Sequence, residues 1–178
     1  MRSSQLLKAL KHHWETRDVF LGVFPSDKLP TSMEKKPAIA LIANTDPSYK
    51  PGEHWCAFYI TPDCAYYFDS YGLPPPKSFQ RLMHCRNTYK VFGRRLQGRG
   101  KVCGHYCMYF ILAMVRGGSD TMFYKFGDLN ANDRIVRQEV MKNLIMWQKK
   151  KGSICWQQKR DTFEIKKIVI IHVSFIVQ

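Results

Sequence analysis

Gln97-Gly98-Arg99-Gly100-Lys101-Val102-Cys103-Gly104, running into an almost unbroken apolar stretch from Tyr106 to Val115, is the segment from which the fold is read. From Gly104 to Val115 the residues are apolar on nearly every helical face, which predicts a helix buried in the middle of a domain. Cys103 would stand at the N-terminal end of that helix, where unpaired amides and the helix dipole favour an anion. A free thiol has a pKa of about 8.5 and is a poor nucleophile until that value falls, so the position suits a reactive thiolate. Gly104 would let the backbone pass close to a bound molecule without a Cβ.

Upstream, three extended segments are expected at Ala38–Ala43, Trp55–Ile60 and Ala65–Phe68, the last two joined by the turn-forming Thr61-Pro62-Asp63. They read as a meander. His54 stands just before the second segment and Asp69 just after the third, fifteen residues later. If those strands are neighbours, His54 can serve as base to the Cys103 thiol, and Asp69 can accept from the imidazole and hold its tautomer. Gln97, six positions before Cys103, could aim its side-chain amide at a developing oxyanion, with the Cys103 amide as second donor. Taken singly, each residue has a plainer reading: a packed core thiol, a half-buried histidine, a turn-forming aspartate, a surface glutamine. Taken together, their order and the tight Gln–Cys spacing point to nucleophilic thiol catalysis.

The flanks add further elements. Ser3 or Ser4 can cap a first helix in which Leu6, Leu7, Leu10 and Trp14 recur at helical spacing, and Val19 to Pro30, with Gly22, Pro25 and Pro30, reads as a loop. After Pro74-Pro75-Pro76 a short helix is expected from Lys77 to Met83, and a later amphipathic helix from Asp133 to about Lys150, with Val136, Val140, Leu144 and Trp147 on one stripe. The expected fold class is α+β, with a central sheet packed against a buried helix that carries the nucleophile. A length of 178 residues with 45% hydrophobic residues suits a single domain over 1–178.

A formal charge of +14 predicts attraction to polyanions, nucleic acid first and an acidic protein second. Arg94, Arg95, Arg99 and Lys101 flank the Gln97 segment, and Lys149, Lys150 and Lys151 lie in the basic C-terminal third, making Arg94, Arg95 and Lys149–Lys151 the candidate DNA contacts. A signal-peptide core is not evident, because Lys8 and Lys11 split Leu6, Leu7 and Leu10. The six cysteines are accordingly expected to be reduced and the protein intracellular. Ile168 to Val177 is too short to span a bilayer and reads as a strand, so no membrane association is expected. No metal site is expected either: Cys103 and Cys107 bracket His105, but no second ligand pair has zinc-finger spacing.

Phe20-Leu21-Gly22, Ala38-Ile39-Ala40 with Ala43-Asn44-Thr45, Gly52-Glu53-His54-Trp55-Cys56-Ala57-Phe58, Tyr67-Phe68-Asp69-Ser70-Tyr71-Gly72 and Cys103-Gly104-His105-Tyr106-Cys107-Met108-Tyr109-Phe110 resemble blocks of the adenovirus endopeptidase (adenain) family, in family order. The resemblance is nearest to the adenovirus-type proteases of adintoviruses and Maverick/Polinton elements, and it covers roughly residues 4 to 150; residues 152–178 fit it least. By motif His54 takes the family's catalytic histidine, Asp69 its acidic orienter, Gln97 its oxyanion glutamine and Cys103 its nucleophile. The chain departs in having Asp where mammalian adenovirus enzymes have Glu, as the related SUMO-protease clan does, and in a Gln-to-Cys interval one residue shorter than in adenain.

The resemblance implies a papain-like, Ulp-type (adenain-like) α+β fold. It also implies a cysteine-type endopeptidase that cleaves viral or transposon structural precursors after Gly-containing motifs for virion maturation, in the host nucleus or virion. It implies no cofactor for the chemistry, but a short activator peptide and DNA as partners, the peptide held by disulfide to a cysteine comparable to Cys85, twelve residues before Gln97. A buried structural thiol is the commoner fate of such a residue. A monomer is expected. Two other functions fit: a Ulp-like protease removing a ubiquitin-like modifier, and a non-catalytic DNA-binding domain, whose signature would be a missing catalytic residue.

Overall fold

The computed structural model describes residues 1–31, 36–118 and 120–144. The chain divides into a unit Met1–Met141 and a second unit Lys142–Gln178, of which only 142–144 are described. The expectations for Trp147, Lys149–Lys151 and the strand at 168–177 fall outside the described residues.

Helix α1 (Ser3–His12) precedes strands β1 (Phe20–Phe24), β2 (Ile39–Asn44), β3 (Trp55–Ile60) and β4 (Cys64–Phe68). A 3-10 turn at Lys77–Phe79 leads into α2 (Gln80–Met83), followed by β5 (Thr88–Phe92) and α3 (Cys103–Val115). After a second 3-10 turn, Asp120–Phe123, residues 129–144 form α4. The five strands make one mixed sheet in the order β1-β2-β3-β4-β5, antiparallel at β2–β3 and β3–β4 and parallel at both edges. The expected meander is therefore the centre of the sheet.

Alternation along the strands gives each sheet face its own aromatic layer. On one face Phe58 and Tyr67 meet Phe79, with ring centroids 5.5 and 6.3 Å apart, and Leu82 and Met83 of α2 complete that core. On the other, Phe68 stacks on Phe110 of α3 at 5.0 Å, and Phe92 meets the same ring edge-on at 5.3 Å. Every residue of β2 is buried, as expected of a strand covered on both sides. From Gly104 to Leu112 only His105 escapes full burial, so α3 is the central helix that its composition predicts.

Four local expectations are corrected. The segment taken as a loop from Val19 to Pro30 contains β1, a parallel edge strand whose short apolar run is bracketed by the glycine and prolines. The first helix is not opened by a serine side chain: Arg2 is the N-cap, and Gln5 Oε1 accepts from the Arg2 amide at 2.8 Å. Leu6 and Leu10 are buried, but Leu7 is 41% exposed and Trp14, beyond the helix end, 48%. The amphipathic helix begins at 129 rather than 133, because Asp128 Oδ1 accepts from the amides of Asn130 and Ala131 and so caps it four residues earlier. Val136 and Val140 are fully buried, as its stripe predicts. Among the described residues no helix is long and apolar enough to cross a membrane.

Candidate active site

The β3–β4 pairing brings His54, the expected base, to Asp69, its expected orienter. Ala57 pairs with Phe68, so continuing that antiparallel register sets Cys56 opposite Asp69 and His54 opposite Tyr71. The side chains follow: His54 Nε2 lies 2.9 Å from Asp69 Oδ1, and the His54 and Tyr71 rings are tilted together at 4.8 Å between centroids. Asp69 is only 2% exposed. It is held by the Tyr71 amide, which donates to Oδ1 at 2.7 Å, and by the Cys56 thiol, 3.7 Å from Oδ2. Its aspartate is thus a fixed acceptor as well as a turn former.

Cys103 opens α3, which packs against β3, and His54 is the first of the influences that lower its thiol pKa. The contact of His54 with Asp69 is made by Nε2. Burial alone would push the Cys103 thiol up, but the His54 side chain, the amides of Trp55 and Gly104 and the imidazolium charge together bring it below its ordinary value. On His54 burial opposes the charged ring, yet the partners Asp69, Cys103 and Cys56 outweigh it, and its pKa is pushed up to about 12. The two shifts belong to one coupled pair. By contrast burial pushes the thiols of Cys56, Cys85 and Cys107 up. Among these four, Cys103 alone is shifted down.

Gln97 is in the same neighbourhood but already engaged. It is 1% exposed; Oε1 accepts from Ser70 Oγ at 2.7 Å, while Nε2 donates to the Gly100 carbonyl and lies 3.2 Å from Tyr71 Oη. Tyr71 therefore links the two halves of the site, lying beside His54 at its ring face and meeting Gln97 at its hydroxyl. Neither Tyr71 nor Cys56 was singled out from the sequence as a site residue. Their signal is the strand register, which places both across the hairpin from His54 and Asp69. Gly104 serves a different end from the one expected, since a Cβ there would lie 3.2 Å from Leu6 and Met1: the missing side chain lets α1 approach α3.

Of the remaining described candidates, Arg95 touches this network through Gln97 and the Tyr71 ring. All five described cysteines are free thiols, and Cys85 is half-buried beside a cavity of about 330 Å3 shared with Thr31, Arg81, His84 and Arg86. Arg94 and Arg95 are exposed, with Arg94 donating to the Phe126 carbonyl at 2.6 Å and Arg95 to the Gln97 carbonyl at 3.2 Å. His54, Cys56 and Asp69 bring potential ligand atoms within 4.8 Å of one another, the one such cluster among the described residues. A cation there would occupy the base and its orienter, so it would compete with the proton chemistry.

No protein-family model matches the chain, and no curated protein matches it in sequence. Among solved structures the chain is similar to ASFV pS273R protease, at 17% identity over 74% of this chain and 63% of that one with a TM-score of 0.52. It is also similar to the selenomethionine form of that protease (24% identity, 56% and 42% covered, TM-score 0.42) and to the SUMO protease Ulp1 (15%, 64% and 57%, TM-score 0.38). The matched part thus spans less than two thirds of either ASFV structure. The fold class is α+β, a five-stranded mixed sheet packed against a central helix, and it is the fold shared with the ASFV pS273R protease structure.

Proposed function

We propose that the protein is a cysteine-type endopeptidase acting on structural precursor proteins of a virus or virus-like transposon, in the manner of the adenain family that its motifs resemble. The observation that carries this reading is the His54–Asp69 pair, 2.9 Å apart with the carboxylate buried, and a Cys103 thiol whose pKa the same imidazole lowers. The Cys103 thiolate attacks the scissile carbonyl, His54 gives its proton to the leaving amine, and a water activated by the returned base releases the acyl group. Asp69 holds the ring and stabilises its charge throughout. The Cys103 amide and the Gln97 side chain supply the oxyanion donors, Gln97 by giving up one of its present partners.

Cleavage after Gly-containing motifs follows the adenain resemblance, and a cleft of about 220 Å3 whose lining includes Phe24, Asn44, Pro51, Gly52 and Trp55 opens next to His54 in sequence. The formal charge of +14 supports non-specific DNA as a partner, and the cavity beside Cys85 supports an activator peptide.

The test is hydrolysis of a panel of peptides with Gly-containing cleavage sites beside a ubiquitin-like fusion protein, comparing wild type with Cys103→Ala. Cleavage of the peptides that Cys103→Ala abolishes upholds the proposal. Cleavage of the fusion alone would transfer the protein to the deconjugating proteases, and no Cys103-dependent cleavage would leave the non-catalytic reading.

A further inference from the structure

The segment that carries Gln97 does not hold itself in place. The Leu96 and Gln97 amides go to the Ser70 carbonyl, both at 2.9 Å, and the turn that follows is taken by a single carboxylate from another element: Gly98 N donates to Asp133 Oδ1 at 3.1 Å, and Gly100 N donates to Asp133 Oδ2 at 2.8 Å. Asp133 lies in the second turn of α4, where an aspartate is a mediocre helix former and no cap is needed, since Asp128 already serves the helix end. The fit is close. A Cβ on Gly100 would stand 2.6 Å from Asp133 Oδ2, and one on Gly98 would stand 2.8 Å from the Leu129 carbonyl, so only glycine lets the turn settle on the helix. Neighbouring groups fix the same junction: Asn132 Nδ2 and Tyr106 Oη each donate to the Leu96 carbonyl at 3.0 Å.

The connection reaches the side chain of Gln97. Gly100, held by its N–H on Asp133, offers its carbonyl to one hydrogen of Gln97 Nε2. The other hydrogen is directed to Tyr71 Oη at 3.2 Å, a longer contact. With one hydrogen pinned and Oε1 pinned by Ser70 at 2.7 Å, the plane of the amide is set and the Tyr71-facing hydrogen is the one free to turn to a new acceptor. We propose that Asp133 is a positioning residue of the reaction: by clamping the amides of Gly98 and Gly100 it fixes the turn that orients Gln97 as oxyanion donor. The inference rests on the endopeptidase reading above and adds to it a residue thirty positions beyond the nucleophile.

Asp133→Asn keeps size and shape but replaces one acceptor by an amine that meets a backbone N–H donor to donor. Peptide hydrolysis by this variant should lose about tenfold or more in kcat with KM within about twofold, because the lost interaction matters as charge develops on the carbonyl oxygen. Alkylation of Cys103 by iodoacetamide forms no oxyanion and should proceed at the wild-type rate. Amide exchange should quicken at Gly98 and Gly100 while α3 and the sheet stay protected. Gly100→Ala, which lifts the turn from the helix by another route, should reproduce the split. Unchanged kcat, or a parallel fall in turnover and alkylation with a lower melting temperature, would overturn the proposal in favour of a purely structural carboxylate. If wild type alkylates at Cys103 yet cleaves no peptide, the endopeptidase reading falls alone. The clamp is then decided by exchange, and undiminished protection at Gly98 and Gly100 in Asp133→Asn would overturn it.

Discussion

Cys103 and Cys107 stand one helical turn apart on the same helix, yet burial drives the second thiol up while His54 and two amides bring the first down. A thiol with a depressed pKa is ionised above that lower value, so its reactivity is lost only as pH falls through it. The pH profile of Cys103 alkylation should therefore lie at lower pH than that of an ordinary thiol. In His54→Ala the chief lowering influences vanish while burial remains, the thiol moves back up, and alkylation at pH 7 should drop by about tenfold or more. Titrating the rate against pH in both proteins reads the displacement directly. Gln97→Ala removes one oxyanion donor and should cost on the order of 100-fold in kcat with little change in KM. A rise confined to KM would make Gln97 a binding residue. The four catalytic candidates were legible because each chemistry admits few residue types. Tyr71 and Cys56 were not, since tyrosines and cysteines are ordinary core residues until a register sets them against a catalytic pair.

Elements were legible in proportion to their burial. The strand Trp55–Ile60 has the bounds its sequence predicts, and α3 starts one residue before the expected Gly104 and ends at Val115 as expected, because both are nearly continuous apolar runs. The edge strands β1 and β5 escaped. Thr88, Tyr89 and Lys90 are exposed, so β5 carries no alternation strong enough to announce it, and it is defined by parallel pairing to β4. The start of α4 was misplaced because Val136 opens the apolar stripe while Asp128, polar and outside it, opens the helix. Phe110 joins α3 to two strands through Phe68 and Phe92, at the middle of one aromatic layer. Phe110→Ala should destabilise the protein by about 3–5 kcal/mol, measured by urea unfolding. A loss under about 1 kcal/mol would mean that the layer repacks around the void.

At the scale of the whole molecule, 28 lysines and arginines face 14 aspartates and glutamates, and the imbalance was plain in the composition. Duplexes of unrelated sequence should bind with similar affinity that weakens steeply as salt rises, since phosphate contacts release counterions. Titration of labelled DNA across salt concentrations checks this; salt-independent affinity would assign the basic surface to another partner. Arg94→Glu with Arg95→Glu should weaken binding uniformly across sequences. What composition could not reveal is how the site is distributed along the chain. His54 and Asp69 flank one hairpin and are fifteen residues apart, whereas Cys103 follows His54 by 49 positions. On the proposed assignment a ribosome thus delivers the base and its orienter together and the nucleophile only after a further stretch has been synthesised. During translation the proposed nucleophile is the last of these three parts to arrive, and under that mechanism an incomplete chain ending before Cys103 would have nothing with which to cut its neighbours.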